Sequence, residues 1–166
     1  GDNLSFDDDI DLGTGINSLA IQGGSYAGGY IFGPDNLRNV QNLITASGLV
    51  EGLWPNPVTP GPHSYNLIFD DANIAACATQ TILGNGLGLG IPGLQPGVNL
   101  TIDATDEKDG QIRVFAGLGN DNVLGGELND GVFFETGAWS NAGHSFDGRN
   151  GIDSIVFRGD YDGGPG

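Results

Sequence analysis

The chain has 166 residues and carries 21 acidic side chains against 5 basic ones, which gives a formal net charge of −16. So few Lys and Arg residues argue against binding to nucleic acid or to an anionic membrane surface, because both partners attract positive charge. The acids are 17 Asp and 4 Glu, alongside 31 Gly. Short carboxylates next to glycine favour tight turns, and bound cations would offset the self-repulsion of so acidic a chain.

Short strand-like runs separated by turn residues follow one another along the chain. The predicted strands cover residues 19–21, 30–32, 65–69, 79–83, 98–103 and 111–115. Leu37, Val40 and Leu43 lie three apart, so residues 34–47 form either a short helix, with Asp35 as a possible cap, or one more strand-bearing rung. Residues 51–64 and 84–97 contain several Pro and Gly residues and predict loops within one continuous domain.

Two consecutive nonapeptides, residues 116–124 and 125–133, follow the pattern G-G-x-G-x-D-x-U-x, with U a large apolar residue. Each departs once from it, at Ala116 and at Leu128. Glycines permit a tight turn with outward carbonyls, and the Asp adds a carboxylate. Calcium takes about six to eight oxygen ligands, so stacked turns of this kind predict calcium binding. The predicted ligands are Gly117, Gly119, Asp121, Gly126, Leu128 and Asp130. Val123 and Val132 are the predicted inward residues.

A variant of this turn occurs near both ends of the chain, at residues 11–17 and 147–153. Arg149 replaces a glycine that the first copy keeps as Gly13, and Asn17 replaces the carboxylate that the second copy keeps as Asp153. Leu19 and Ile155 are the inward residues that follow. These turns, with three further acidic positions, add Gly148, Asn150, Asp153, Gly13, Gly15, Asn17, Asp106, Asp109 and Asp2 to the predicted calcium ligands.

The match between the two ends extends beyond the turn. Residues 15–23 resemble residues 151–159, and Ile16 and Ile152 are 136 positions apart. A little further on, Tyr26 matches Tyr161 at an offset of 135. One long unit followed by the opening of the next predicts a tandem array in which each unit stacks on its neighbour.

These residues resemble the RTX, or hemolysin-type calcium-binding, repeats of large secreted bacterial proteins. Residues 120–126 and 153–161 carry the resemblance most closely, within a match over residues 98–164 and 1–29. It implies an all-β chain folded as a right-handed parallel β-roll or β-solenoid, with calcium between the turns and type I secretion. Residues 1–29 then end one RTX block, residues 30–97 form an irregular solenoid segment, and residues 98–166 form the next block.

The β-roll expectation also fixes which turns should be neighbours, because each turn stacks on the next turn but one. The turn holding Asp130 is expected between the acidic turn 103–109 and the turn holding Asp153. The turn holding Asp121 is expected to face the loop 135–143. A shift of half a coil would reverse these pairings.

Other acidic residues and the single cysteine have plainer explanations. Residues 7–9, all Asp, favour a solvated acidic loop over a metal cluster. Asp70 and Asp71 favour a turn closed by local side-chain hydrogen bonds over a hydrolytic carboxylate pair. Cys77 lies in a run of small apolar residues and is predicted to be a buried thiol.

Catalytic and zinc chemistry find little support. His63 and His144 lack the spacing of a zinc site, and no nucleophile elbow, phosphate loop or Cys–His pair occurs. Trp54 and Trp139 favour packing under loops over a sugar-stacking platform. No apolar run is long enough to span a bilayer.

The expected function is therefore non-enzymatic: an extracellular calcium-binding structural module, repeated in tandem in a bacterial surface layer, filament or adhesin. Its expected partners are calcium ions and neighbouring copies or repeat units, stacked end to end, with a glycan as a further possibility. The alternative is the non-catalytic secretion and stabilisation module of a large secreted enzyme.

Overall fold

The computed structural model describes residues 4–5, 7–23, 26–46, 63–85, 98–134 and 143–158. These residues form thirteen short strands and two 3-10 turns, Tyr26–Gly28 and Asp71–Asn73, and contain no helix that could cross a membrane. The strands are β1 Ile10–Asp11, β2 Ser18–Gln22, β3 Tyr30–Ile31, β4 Leu37–Arg38, β5 Asn42–Ala46, β6 Tyr65–Ile68, β7 Thr79–Leu83, β8 Leu100–Asp103, β9 Gln111–Phe115, β10 Asn122–Leu124, β11 Gly131–Phe134, β12 Ser145–Asp147 and β13 Ser154–Phe157.

All strand pairs among the described residues are parallel. One sheet has six strands in the order β13-β11-β9-β7-β5-β2, a second has five in the order β12-β10-β8-β6-β3, and β1 pairs with β4. From β5 onwards, consecutive strands alternate between the two large sheets, so each strand pairs with the next strand but one. The all-β class predicted from the sequence is confirmed, and the sheets are parallel as expected.

Alternating side chains of both sheets meet in one apolar core. Each sheet contributes a row of residues in register across its strands, and burial is complete or nearly so in the middle of each row. The inward row of the six-stranded sheet is Leu19, Leu43, Ile82, Val114, Val132 and Ile155. The row of the five-stranded sheet is Tyr30, Leu67, Ile102, Val123 and Phe146. Burying a side chain of this size contributes roughly 1.5–3 kcal/mol, so these rows hold the sheets together.

Residues 34–47 contain strands β4 and β5, so the strand-bearing alternative was correct and the helix was wrong. Asn39, between the two strands, has φ of 57°, a left-handed conformation that ends any helical run and that Asn tolerates. The corner lets Leu37, Val40 and Leu43 reach the core from two strands rather than from one helical face.

Cys77 is exposed, so its prediction as a buried thiol was wrong. It lies in a turn with φ of 62°, and its N–H donates to the Asp109 carbonyl at 2.7 Å. That turn buries Ile74 instead. Asp70 caps the 3-10 turn through a hydrogen bond from the Ala72 N–H, which confirms the local turn predicted there.

The two copies of the repeated turn have the same conformation. Gly13 and Arg149 have φ of 72° and 65°, and Gly15 and Gly151 have φ of 122° and 106°. The strands that follow, β2 and β13, are the two edge strands of the six-stranded sheet. The sequence repeat therefore marks opposite ends of one stack of strands. Asp2, Trp54, Trp139 and most of the predicted loops 51–64 and 84–97 lie outside the described residues.

Candidate calcium-binding turns

The two nonapeptide turns lie at opposite ends of the strands. Residues 116–121 connect β9 to β10 and so lead from the six-stranded sheet to the five-stranded one. Residues 125–130 connect β10 to β11 and lead back. The turns at 104–110 and 148–153 also lead back to the six-stranded sheet, so they share one side of the molecule with residues 125–130.

Backbone hydrogen bonds confirm the predicted order of turns on that side. The Glu127 N–H donates to the Glu107 carbonyl at 3.0 Å, which joins the turn holding Asp130 to the acidic turn 103–109. On the other face, the Asn150 N–H donates to the Gly126 carbonyl at 3.3 Å. The turn holding Asp130 thus lies between its two expected neighbours. The Gly126 carbonyl, a predicted calcium ligand, carries a hydrogen bond from the next turn.

The turn of Asp121 adjoins residues 143–144, the described end of the segment that was expected to face it. The Gly143 N–H donates to Asn120 Oδ1 at 3.0 Å, and the Asp121 N–H donates to His144 Nδ1 at 3.2 Å. His144 Nδ1 therefore acts as the acceptor in this contact.

Asp121 is fully buried, yet its carboxylate is only half satisfied. Oδ1 accepts the Leu100 N–H at 2.8 Å, whereas Oδ2 is buried without a hydrogen-bond partner. His144 Nδ1 lies 3.7 Å from Oδ2. Burial raises the pKa of Asp121 to about 6, against the lowering effects of the Leu100 N–H, of the nearby His144 and of the Gly117 backbone.

Asp130 is also buried, but both of its oxygens are occupied. Oδ1 accepts the Ile112 N–H at 2.8 Å, and Oδ2 accepts the Gly126 N–H at 2.7 Å. Burial raises its pKa above the ordinary value, and the negative charge of Asp153 adds to this effect. Asp153 in turn accepts the Asp130 N–H through Oδ1 at 2.9 Å. The motif carboxylates therefore join successive turns by accepting backbone N–H groups.

Asn17 joins two turns in a different way. Its Nδ2 donates to the Gly13 carbonyl of its own turn at 2.9 Å and to the Asn39 carbonyl of the next turn at 3.0 Å. An amide thus bridges two carbonyl oxygens of neighbouring turns. Asp153 occupies the matching position in the second copy and cannot donate. A cation is the other kind of group that can join such oxygens.

A further group of acids forms beside the acidic turn. One ligand atom from each of Asp71, Glu107 and Asp109 lies within 4.8 Å of the others. Glu107 is 1% exposed; Oε1 accepts the Gly110 N–H at 2.7 Å, whereas Oε2 is buried without a partner. Burial, and then the charges of the two Asp side chains, raises the pKa of Glu107. Lys108 Nζ lies 3.2 Å from Asp71 Oδ2 and supplies part of the balancing charge.

Sequence reasoning selected Asp106 and Asp109 in this turn but missed Glu107 and Asp71. Asp106 is exposed and does not belong to the group. Glu107 stands outside the repeated Gly-Asp pattern, and Asp71 is 36 positions before it in the chain. Only the stacking of the 71–78 segment on the acidic turn brings them together.

The motif glycines are required by close stacking of the turns, whether or not a metal is bound. A Cβ on Gly119 would overlap the Val98 carbonyl, and one on Gly126 would lie 2.5 Å from the Glu107 carbonyl. A Cβ on Gly148 would overlap the Asp153 carboxylate. Gly117 is buried, and Leu128, the irregular position, is partly buried.

Comparison with known proteins finds no matching family model, no matching curated protein and no matching solved structure. The interpretation of the turns therefore depends on their own geometry and on the sequence pattern.

Proposed function

We propose that the chain is an extracellular calcium-binding structural module, folded as a β-roll, or β-solenoid, and repeated in tandem in a bacterial surface layer, filament or adhesin. The observation that carries the proposal is the pair of half-satisfied buried carboxylates. Asp121 and Glu107 each leave one buried oxygen without a partner. With 5 basic side chains against 21 acidic ones, the chain has few cations of its own for such sites.

Calcium suits these positions because it binds oxygen ligands in flexible geometry. Among the described residues, the stacked turns offer carboxylate and carbonyl oxygens at these positions. Two turns must approach each other before enough oxygens are present, so cation binding and turn stacking favour each other. The contrast between Asn17 and Asp153 supports this reading, since an amide donor joins carbonyl oxygens in one copy and an acidic group replaces it in the other.

The proposed mechanism is folding coupled to calcium. Without the cation, mutual repulsion and the cost of burying ionised carboxylates favour the disordered chain. With it, the turns close and the inward rows around Val123 and Val132 become a dry core. Extracellular modules bind calcium in the range of about 0.1–1 mM, and we expect this chain to fold over the same range.

Isothermal titration calorimetry of the chelator-treated chain tests the proposal. Calcium should bind with a folding signal, and Asp121→Asn and Asp130→Asn should each weaken binding or remove a site. The matched control is Asp7→Asn, which removes one charge from an exposed position. Unchanged affinity and stoichiometry in both turn variants would refute the assignment of Asp121 and Asp130 as ligands. An effect of equal size in the control would show that net charge, rather than ligation, explains the weaker binding.

A further inference from the structure

Two segments of the chain meet beyond the carboxyl ends of neighbouring parallel strands. Strands β6 and β8 pair in the five-stranded sheet, and just after β6 the Phe69 N–H still donates to the Asp103 carbonyl at 2.8 Å. The segment after β6 carries Asp71, and the acidic turn after β8 carries Glu107 and Asp109. Because parallel strands end at the same edge of a sheet, the pairing brings these three acids together.

One carboxylate of this group is buried and only half satisfied. Glu107 is 1% exposed, and its Oε1 accepts the N–H groups of Asp109 and Gly110 at 3.2 and 2.7 Å. Its Oε2 is buried and accepts no hydrogen bond. A carboxylate oxygen of Glu107 lies within 4.8 Å of one from each of Asp71 and Asp109. A buried ionised oxygen without a partner is costly, so this position favours a cation beside it.

Lys108 supplies an ammonium to one side of the group. Its Nζ lies 3.2 Å from Asp71 Oδ2, and its backbone N–H donates to Asp71 Oδ1 at 2.8 Å. The Lys108 side chain is 68% exposed, and exposed ion pairs of this kind contribute little stability. The ammonium therefore balances one carboxylate of the three and is easily displaced, while the backbone N–H holds Asp71 in place.

We propose that this group, Asp71, Glu107 and Asp109, binds a calcium ion. The ion displaces the Lys108 ammonium from Asp71 Oδ2 and so competes with a cation of the chain itself. A set of oxygen donors suits calcium, with water completing its shell. The site lies outside the nonapeptide turns and joins the segment after β6 to the acidic turn. The inference rests on the calcium binding of the proposed function for the identity of the ion.

Amide nuclear magnetic resonance of the full chain during a calcium titration tests the site. The stabilising osmolyte TMAO keeps the chelator-treated chain folded, so that the shifts report binding rather than folding. The reporters are the Lys108 and Gly110 amides, whose N–H groups donate to Asp71 and Glu107. Both signals should shift with calcium and share one midpoint concentration.

Variants of the group should move this midpoint in opposite directions. Glu107→Gln keeps an oxygen for the Gly110 N–H and should raise the midpoint at least about tenfold, as should Asp71→Asn, because each removes a ligand charge. Lys108→Gln removes the competing ammonium and should lower the midpoint about threefold. The matched control is Asp106→Asn, an exposed acid of the same turn outside the group, which should change the midpoint less than about twofold.

The variants also show how the proposal would fail. Equal effects of Glu107→Gln and Asp106→Asn would overturn it, because net charge alone would then explain the binding. An unchanged or raised midpoint in Lys108→Gln would overturn the displacement of the ammonium. That variant keeps its backbone N–H, and tighter binding cannot result from a loss of folding, so its result does not depend on the stability of the other variants.

A second pair of amides separates this site from the nonapeptide turns. The Leu100 and Ile112 N–H groups donate to the carboxylates of Asp121 and Asp130 and so report calcium in those turns. Shifts at these two amides, with none at the reporters of the acidic turn, would support the proposed function and overturn the additional site. Shifts at the acidic turn alone would support the site and count against calcium in the nonapeptide turns. No shift at either pair would overturn both.

Discussion

Asp121→Asn separates the cost of the buried charge from the role of the side chain in the turn. The variant retains Oδ1, which accepts the Leu100 N–H at 2.8 Å. It replaces Oδ2, the buried oxygen without a partner, by an amide NH2 group beside His144. The calcium-free protein is expected to become more stable, although a residue of the repeated nonapeptide pattern has been changed.

The size of the effect follows from the pKa of about 6, against a value of 3.8 in the unfolded chain. A raised pKa means that the folded state binds the proton more tightly, so ionisation opposes folding. Below about pH 3.8 both states are protonated and no penalty exists. The penalty grows as pH rises from 3.8 to 6 and stays at about 3 kcal/mol above that. The Asn variant should therefore gain nothing near pH 4 and up to about 3 kcal/mol near pH 7.

The assay compares the free energy of unfolding of the two proteins in chelator between about pH 4 and pH 8. Urea titration serves where the chain is folded, and titration with the stabilising osmolyte TMAO serves where it is not. Asp7→Asn controls for net charge. In saturating calcium the order should reverse, because the variant loses a ligand charge. A difference that does not change with pH, or a variant less stable than the parent near pH 8 in chelator, would refute the reasoning.

Three other changes test the turns, each by urea unfolding in saturating calcium. Gly119→Ala should lower the free energy of unfolding by about 1–3 kcal/mol, because its Cβ overlaps the Val98 carbonyl. The control Gly143→Ala has open space around it and should change stability by less than about 0.5 kcal/mol. Equal effects of the two changes would contradict the close stacking of the turns. Arg149→Gly should add up to about 1 kcal/mol by relieving a left-handed φ of 65°, and a loss would show that the turn is unstrained. Asp130→Ala leaves two buried N–H groups without acceptors and should cost roughly 2–4 kcal/mol. Asp130→Asn keeps one acceptor oxygen and should cost less under the same conditions, and a smaller loss for Ala than for Asn would refute the bridging role.

Strand positions followed closely from the sequence where side chains alternate. Residues 79–83 and 111–115 form β7 and β9 with the predicted bounds. The segment 34–47 was ambiguous because a spacing of three suits a helix and also two short strands around a corner. The corner depends on the left-handed conformation of Asn39, which no apolar pattern indicates.

The candidate site was predictable in part for a similar reason. The sixth position of each nonapeptide identified Asp121 and Asp130, and the neighbours of both turns followed from the next-but-one rule. The sequence did not predict the buried oxygens of Asp121 and Glu107 that lack hydrogen-bond partners. His144 is 23 positions from Asp121, and the hydrogen bond from the Lys108 N–H to Asp71 spans 37 positions. Such contacts depend on how the turns stack, and local sequence patterns do not indicate the stacking.

The central claim is that calcium and the stacking of turns stabilise one another. Far-ultraviolet circular dichroism during a calcium titration of chelator-treated protein tests it most directly. The account predicts a cooperative transition from coil to β structure between about 0.1 and a few millimolar calcium, weakened in Asp130→Asn and unchanged in Asp7→Asn. A β spectrum that is already complete in chelator and indifferent to calcium would contradict it, and the Gly-Asp turns would then be structural turns alone.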